Sequence, residues 1–166
     1  MSWWQSFAQV ISEPEHLLAM LTLGAWAAQL GGRAAWVLPA TFLLAATFGS
    51  ALGATTVALP WAEAGAAASV VILGLPLAAA GRPALSTAAL VVGLLALVHG
   101  YENGLEMPPA ANPLLYQLGF MAAAALLHLL GLGLGWAALP IGPWAGRLGG
   151  TAVALTGVAL VVSAIG

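Results

Sequence analysis

Two stretches of this 166-residue chain gather the groups able to hold a cation. In the first, His16 follows Glu15, and Met20 lies one helical turn further along the same face. In the second, His99 is followed by Glu102, Asn103 and Glu106 at about one-turn intervals, provided the helix continues that far. Glu63 stands at the head of another apolar run. Imidazole with carboxylate suits borderline divalent ions such as nickel, cobalt or zinc, and methionine adds a soft donor. Ionisable groups inside apolar spans are costly and are functional by default. One outer vestibule collecting His16, Glu15, Glu63, His99 and Glu106 is therefore the leading metal site, with Met20, Glu102 and Asn103 as secondary candidates.

Each residue also has a plainer reading. Glu15 completes a Ser-x-x-Glu capping box with Ser12, and an acid in a first helical turn is favoured by the helix dipole. His16 reads equally as an interfacial residue, and Glu106, beside Met107-Pro108-Pro109, as a solvated loop residue. His128 lies deep in a later run among Ala, Leu and Gly. It is either a neutral histidine bonded to a neighbouring helix or a relay group along a pathway. Enzymatic chemistry finds little footing, since there is no Ser/His/Asp arrangement, no phosphate loop beside a lysine and no HExxH. With no cysteine, thiolate ligands, iron–sulfur clusters and thiol nucleophiles are excluded. Haem ligation by bundle histidines is possible in principle, but His16 and His99 sit too near the rim.

The elements carrying these groups are transmembrane. Hydrophobic residues make up 62% of the chain and charged ones 5%, against about 25% charged in soluble domains. The lipid bilayer is the solvent, and the fold class is all-α: a bundle of about six spans of roughly 20 residues each. These fall at 12–30, 34–56, 62–80, 84–100, 113–139 and 143–165, in a single transmembrane domain. Gly31-Gly32-Arg33, Leu59-Pro60-Trp61, Gly81-Arg82-Pro83 and Pro140-Ile141-Gly142-Pro143 turn the chain back between them. Residues 1–11 place Trp3, Trp4, Phe7, Val10 and Ile11 at helical spacing, as in an interfacial amphipathic segment. That segment lacks the basic start of a signal peptide. Gly49-x-x-x-Gly53, Gly131-x-x-x-Gly135 and Gly146-x-x-x-Gly150 predict close helix contacts within the chain.

Charge sorts by side. Arg33, Arg82 and Arg147 fall at one end of the spans and all five glutamates at the other. Basic residues are retained in the cytoplasm, so both termini are expected on the periplasmic side. A net charge of −2 argues against nucleic acid as a partner.

At Glu15-His16-Leu17-Leu18-Ala19-Met20 and at His99-Gly100-Tyr101-Glu102-Asn103-Gly104-Leu105-Glu106-Met107-Pro108, the sequence resembles the HupE/UreJ family of hydrogenase and urease accessory membrane proteins, regarded as nickel permeases. Supporting segments are Trp26-Ala-Ala-Gln-Leu-Gly-Gly-Arg33, Pro60-x-x-Glu63-x-Gly65, and Leu118-Gly-Phe120 through Leu127-His128 to Gly131. The likeness spans nearly the whole chain. The family's first motif reads approximately His-Pro-x-x-Gly-x-Asp-His. Glu15 and His16 take its last two positions, while Gln9 and Val10 stand where His-Pro would be. The second motif is close to His-Gly-x-Ala-His-Gly-x-Glu. His99, Gly104 and Glu106 match it, and Asn103 replaces the second histidine. Amides bind divalent transition metals far more weakly than imidazole does.

The resemblance implies a permease in the bacterial inner membrane that moves nickel, or else cobalt or zinc, as cargo with no tightly bound cofactor. His128 would be the relay beneath the outer site. The competing reading is a non-transporting accessory subunit of a larger membrane complex, contacting partner subunits or a second copy through Trp3, Trp4, Trp36, Trp61, Trp136 and Trp144.

Overall fold

Proline opens three of the helices and glycine closes or bends the links between them. Pro14, Pro113 and Pro143 each sit in a first turn, where the missing N–H costs nothing. Gly31, Gly32 and Gly142 have φ of 72°, 52° and 116°, a left-handed backbone that favours glycine. The computed structural model describes residues 2–55 and 59–166. Among them it has seven α-helices and no strand: α1 Ser2–Ser12, α2 Pro14–Leu30, α3 Ala34–Gly53, α4 Ala62–Ala79, α5 Leu85–Leu105, α6 Pro113–Ala138 and α7 Pro143–Ile165. A short 3-10 turn, Leu139–Ile141, extends α6.

Five helices are long and apolar enough to cross a membrane. They are α3, α4, α5, α6 with its 3-10 extension, and α7. The sixth expected span, α2, has 17 residues. At about 1.5 Å per residue it reaches about 26 Å, short of a full hydrocarbon core. The expected end of the second span, at 56, lies outside the described residues.

Two local expectations change. Ser12 does not cap α2: its hydroxyl donates to the Gln9 carbonyl at the end of α1, and Glu13 occupies the N-cap without a side-chain cap. The capping box is therefore not formed, because the chain is still helical at Ser12. Helix α5 also runs past Gly100 to Leu105. Its glycines do not break it, because they carry a backbone contact.

That contact shows how the bundle is held. The helices pair α3 with α5, α4 with α7, and α2 with α6. A Cβ at Gly49, Gly53, Gly100 or Gly104 would overlap a backbone oxygen across the α3/α5 seam. Gly131 and Gly24 do the same for α2/α6, and Gly74 and Gly150 for α4/α7. Without a hydrophobic drive between helices in lipid, such close backbone approach is a main source of association. The glycine pairs thus pack within the chain, except that Gly146 makes only ordinary contacts.

Large side chains fill the centre. Met20, Leu23, Leu38, Phe42, Val70 and Phe120 are wholly buried, while Leu44, Phe48, Leu90, Leu94, Leu129 and Leu155 are exposed on outward faces, as lipid contact requires. Helix α1 packs across α6, with the Trp3 backbone against Gly119. It keeps Trp4 and Ile11 exposed but buries Ser6 and Val10, so it is a docked element as well as an amphipathic one.

Gly100→Ala should destabilise the bundle by about 1–3 kcal/mol, the usual cost of overpacking. Gly133→Ala, where a Cβ meets nothing within 4 Å, should leave stability unchanged or raised. Thermal unfolding in detergent compares the two.

Candidate metal site at the acidic mouth

All five acidic residues of the chain line one cleft of about 500 Å³: Glu13, Glu15, Glu63, Glu102 and Glu106, with Leu59, Pro60, Ala62 and Leu105. The α1–α2 junction supplies Glu13 and Glu15, the start of α4 supplies Glu63, and the end of α5 supplies Glu102 and Glu106. Acids at the N-terminal ends of α2 and α4 are favoured by the helix dipole. Those at the C-terminal end of α5 are opposed by it, so helix stability does not account for them. Arg33 and Arg82 line a separate cleft reached at the other ends of the same helices.

Outside the spans, two carboxyls of the cleft shift in opposite directions. Burial, and then the nearby Glu13 charge, push Glu106 up to about 7. For Glu13, burial acts to raise the pKa, but the His16 ring and the Gln9 amide outweigh it and hold the carboxyl below its ordinary value.

Beneath the cleft lie His16, His99 and Glu102, all buried, with one donor atom from each within 4.8 Å of the others. His16 Nδ1, His99 Nδ1 and Glu102 Oε2 are buried atoms without a hydrogen-bond partner. A buried polar atom left unpaired costs about 1–3 kcal/mol. Two of these atoms, on His99 and Glu102, belong to residues of the buried trio, so packing alone leaves that cost unmet. A single ion about 2.1 Å from each donor needs donors about 3–4 Å apart, within reach of small side-chain rotations. The His16 and His99 rings meet edge to face, with centroids 4.7 Å apart. His16 also belongs to an outer group with Glu13 and Glu15, again with donors within 4.8 Å of one another. Its Nδ1 lies 3.1 Å from Glu13 Oε2, an ion pair when the ring is protonated. His16 thus joins a solvent-facing group to a buried one.

Deeper in, Phe42 contacts both His99, at 5.8 Å between centroids, and His128, at 4.9 Å. His128 is buried, and neither of its ring nitrogens has a hydrogen-bond partner. The bonded-histidine reading of His128 therefore gains no partner here.

Around the rim, amides and hydroxyls tie the helices together. Gln9 on α1 donates to Glu106 and accepts a 2.6 Å bond from the Tyr116 hydroxyl on α6. Asn103 accepts from Ser6 on α1 at 3.0 Å and donates to Ser50 on α3 at 3.2 Å. The side chains of Gln9 and Asn103 are thus committed to holding α1, α3, α5 and α6 in register.

The structure brings His16 and His99 together and sets Glu15 beside them through His16. Glu102, ranked second from sequence, stands in the buried trio. Glu63 and Glu106 line the exposed cleft and belong to neither close group. Met20 lies one turn inward from His16, within the apolar core. Sequence reasoning missed Glu13, Ser69, Phe42 and Tyr116. Glu13 had a signal, three residues before His16 on one helical face. The others come from distant helices and had none.

A family model described as HupE / UreJ protein matches residues 2–160. Protein HupE of Rhizobium leguminosarum bv. viciae is 43% identical over 152 residues, covering 89% of this chain and 78% of that protein. No solved structure matches the chain.

Two results would test the geometry, with Co²⁺ absorption on the purified protein as the probe. Glu102→Gln should weaken binding at least about tenfold, whereas Glu63→Gln, an exposed charge, should change it by no more than about fivefold. Asn103→Ala should lower thermal stability by about 1–3 kcal/mol, because Ser6 is left buried without its acceptor.

Proposed function

The chain belongs to the HupE/UreJ family, and from that premise we propose that it is a permease admitting a divalent transition metal, nickel before cobalt or zinc, across the bacterial inner membrane. The observation that carries this reading is the buried trio of His16, His99 and Glu102, its donors within 4.8 Å of one another, beneath a cleft lined by all five glutamates.

The five carboxylates attract a hydrated cation and raise its local concentration at the mouth. Glu13, Glu15 and His16 take it first, exchanging water for a carboxylate–imidazole set that suits borderline ions. His16 then shares it with His99 and Glu102. Three protein donors leave coordination positions open, and open positions let an ion leave as well as arrive. His128, reached past Phe42, is the next donor inward. The acidic end faces the periplasm and the arginine end the cytoplasm, following the retention of basic residues inside. The membrane potential then favours entry by about 4.6 kcal/mol for a divalent ion at 100 mV. The chain acts without catalysis, and the metal is cargo.

Bacteria expressing the protein should accumulate radioactive nickel from low external concentrations, and the His16→Ala, His99→Ala double variant should lose at least nine-tenths of that gain. Equal uptake by the double variant would refute the capture site. Stoichiometric copurification of a membrane partner without uptake would favour the accessory-subunit reading.

A further inference from the structure

His99 Nε2 lies 2.7 Å from Ser69 Oγ, and both residues are fully buried. The same hydroxyl donates to the Ala66 carbonyl one turn back on α4, at 2.6 Å. A hydroxyl carries one proton, and a carbonyl oxygen can only accept. The Ser69 proton is therefore directed at Ala66, and toward His99 the hydroxyl oxygen offers only lone pairs. The nitrogen facing it must bear hydrogen. That leaves the lone pair of a neutral imidazole on Nδ1, the atom of His99 that is buried and without a partner.

We propose that Ser69 is a positioning residue: its hydrogen bond locks His99 as the Nε2–H tautomer and so presents the Nδ1 lone pair to the metal. The metal's part in this statement rests on the permease reading, while the tautomer does not. Histidine ligands commonly have the second ring nitrogen fixed in this way, and the outer partner sets both the tautomer and the ring orientation. Here the partner is a hydroxyl whose own proton is anchored on a helix carbonyl, so it cannot reverse its role without breaking that bond. Helix α4 thereby governs a donor carried by α5.

Nitrogen-15 NMR of the metal-free full chain in lipid bilayers, labelled in the histidine rings, reads the tautomer. The His99 signals are assigned by their loss in His99→Gln. The wild type should show a protonated Nε2 and a bare Nδ1, Ser69→Ala should show a mixture or the opposite tautomer, and Ser69→Thr should restore the wild-type pattern. Co²⁺ affinity should fall about 10–100-fold in Ser69→Ala and stay within about threefold in Ser69→Thr. A wild-type His99 protonated on Nδ1 would overturn the proposal, as would Ser69→Ala with both tautomer and Co²⁺ affinity unchanged. A tautomer that follows Ser69 in a wild type that binds no Co²⁺ would sustain the lock and remove the metal reading instead.

Discussion

Inside a bilayer a polar atom without a partner has no water to turn to. That constraint bears on the polar groups of the described spans. The hydroxyls at Thr47, Thr55, Thr151 and Thr156 return to their own helix carbonyls. Gln9, Tyr116, Ser6, Asn103 and Ser50 satisfy one another across helices. Buried atoms without a hydrogen-bond partner occur singly on Trp26, Gln29 and Gln117, and together on His16, His99 and Glu102 near the mouth and on both nitrogens of His128 below. His16, His99 and Glu102 differ from the other exceptions in that their donor atoms lie within 4.8 Å of one another.

Holding them there is the task of the helix seams. Helix α5 is the clearest case, because Gly100 and Gly104 press against α3 while His99 and Glu102 belong to the donor cluster. Helical periodicity separates the two duties by face. At these glycines backbone meets backbone, while Phe42 of α3 reaches across to His99 and Ser50 to Asn103 on the same helix.

Much of this was legible in the sequence. Composition and the glycine and proline breakers located the helices, since lipid tolerates few alternatives to a long apolar run. His16 and His99 stood out because each ends or begins such a run beside carboxylates. What stayed hidden depended on packing between distant helices. Ser69 is one small polar residue in an apolar helix, and nothing in its neighbourhood along the chain predicts that it meets a side chain thirty positions away. Glu102 and Glu106 both depended on α5 continuing past Gly100, where a glycine reads locally as a break, and which of them would meet the histidines was a matter of packing. The capping role given to Ser12 failed for a similar reason: α1 persists as a helix because it docks on α6, a tertiary contact that local propensity does not report.

The backbone seam of α3 and α5 bears on how such a protein can diversify. A donor whose position depends on main-chain contact can be exchanged for another residue without repacking the interface that places it. Gln9 and Asn103 are consistent with this freedom: both amides are absorbed into inter-helix bonding. Substitution on one face of α5 would then change the polar groups at the mouth, while the glycine face keeps its contact with α3.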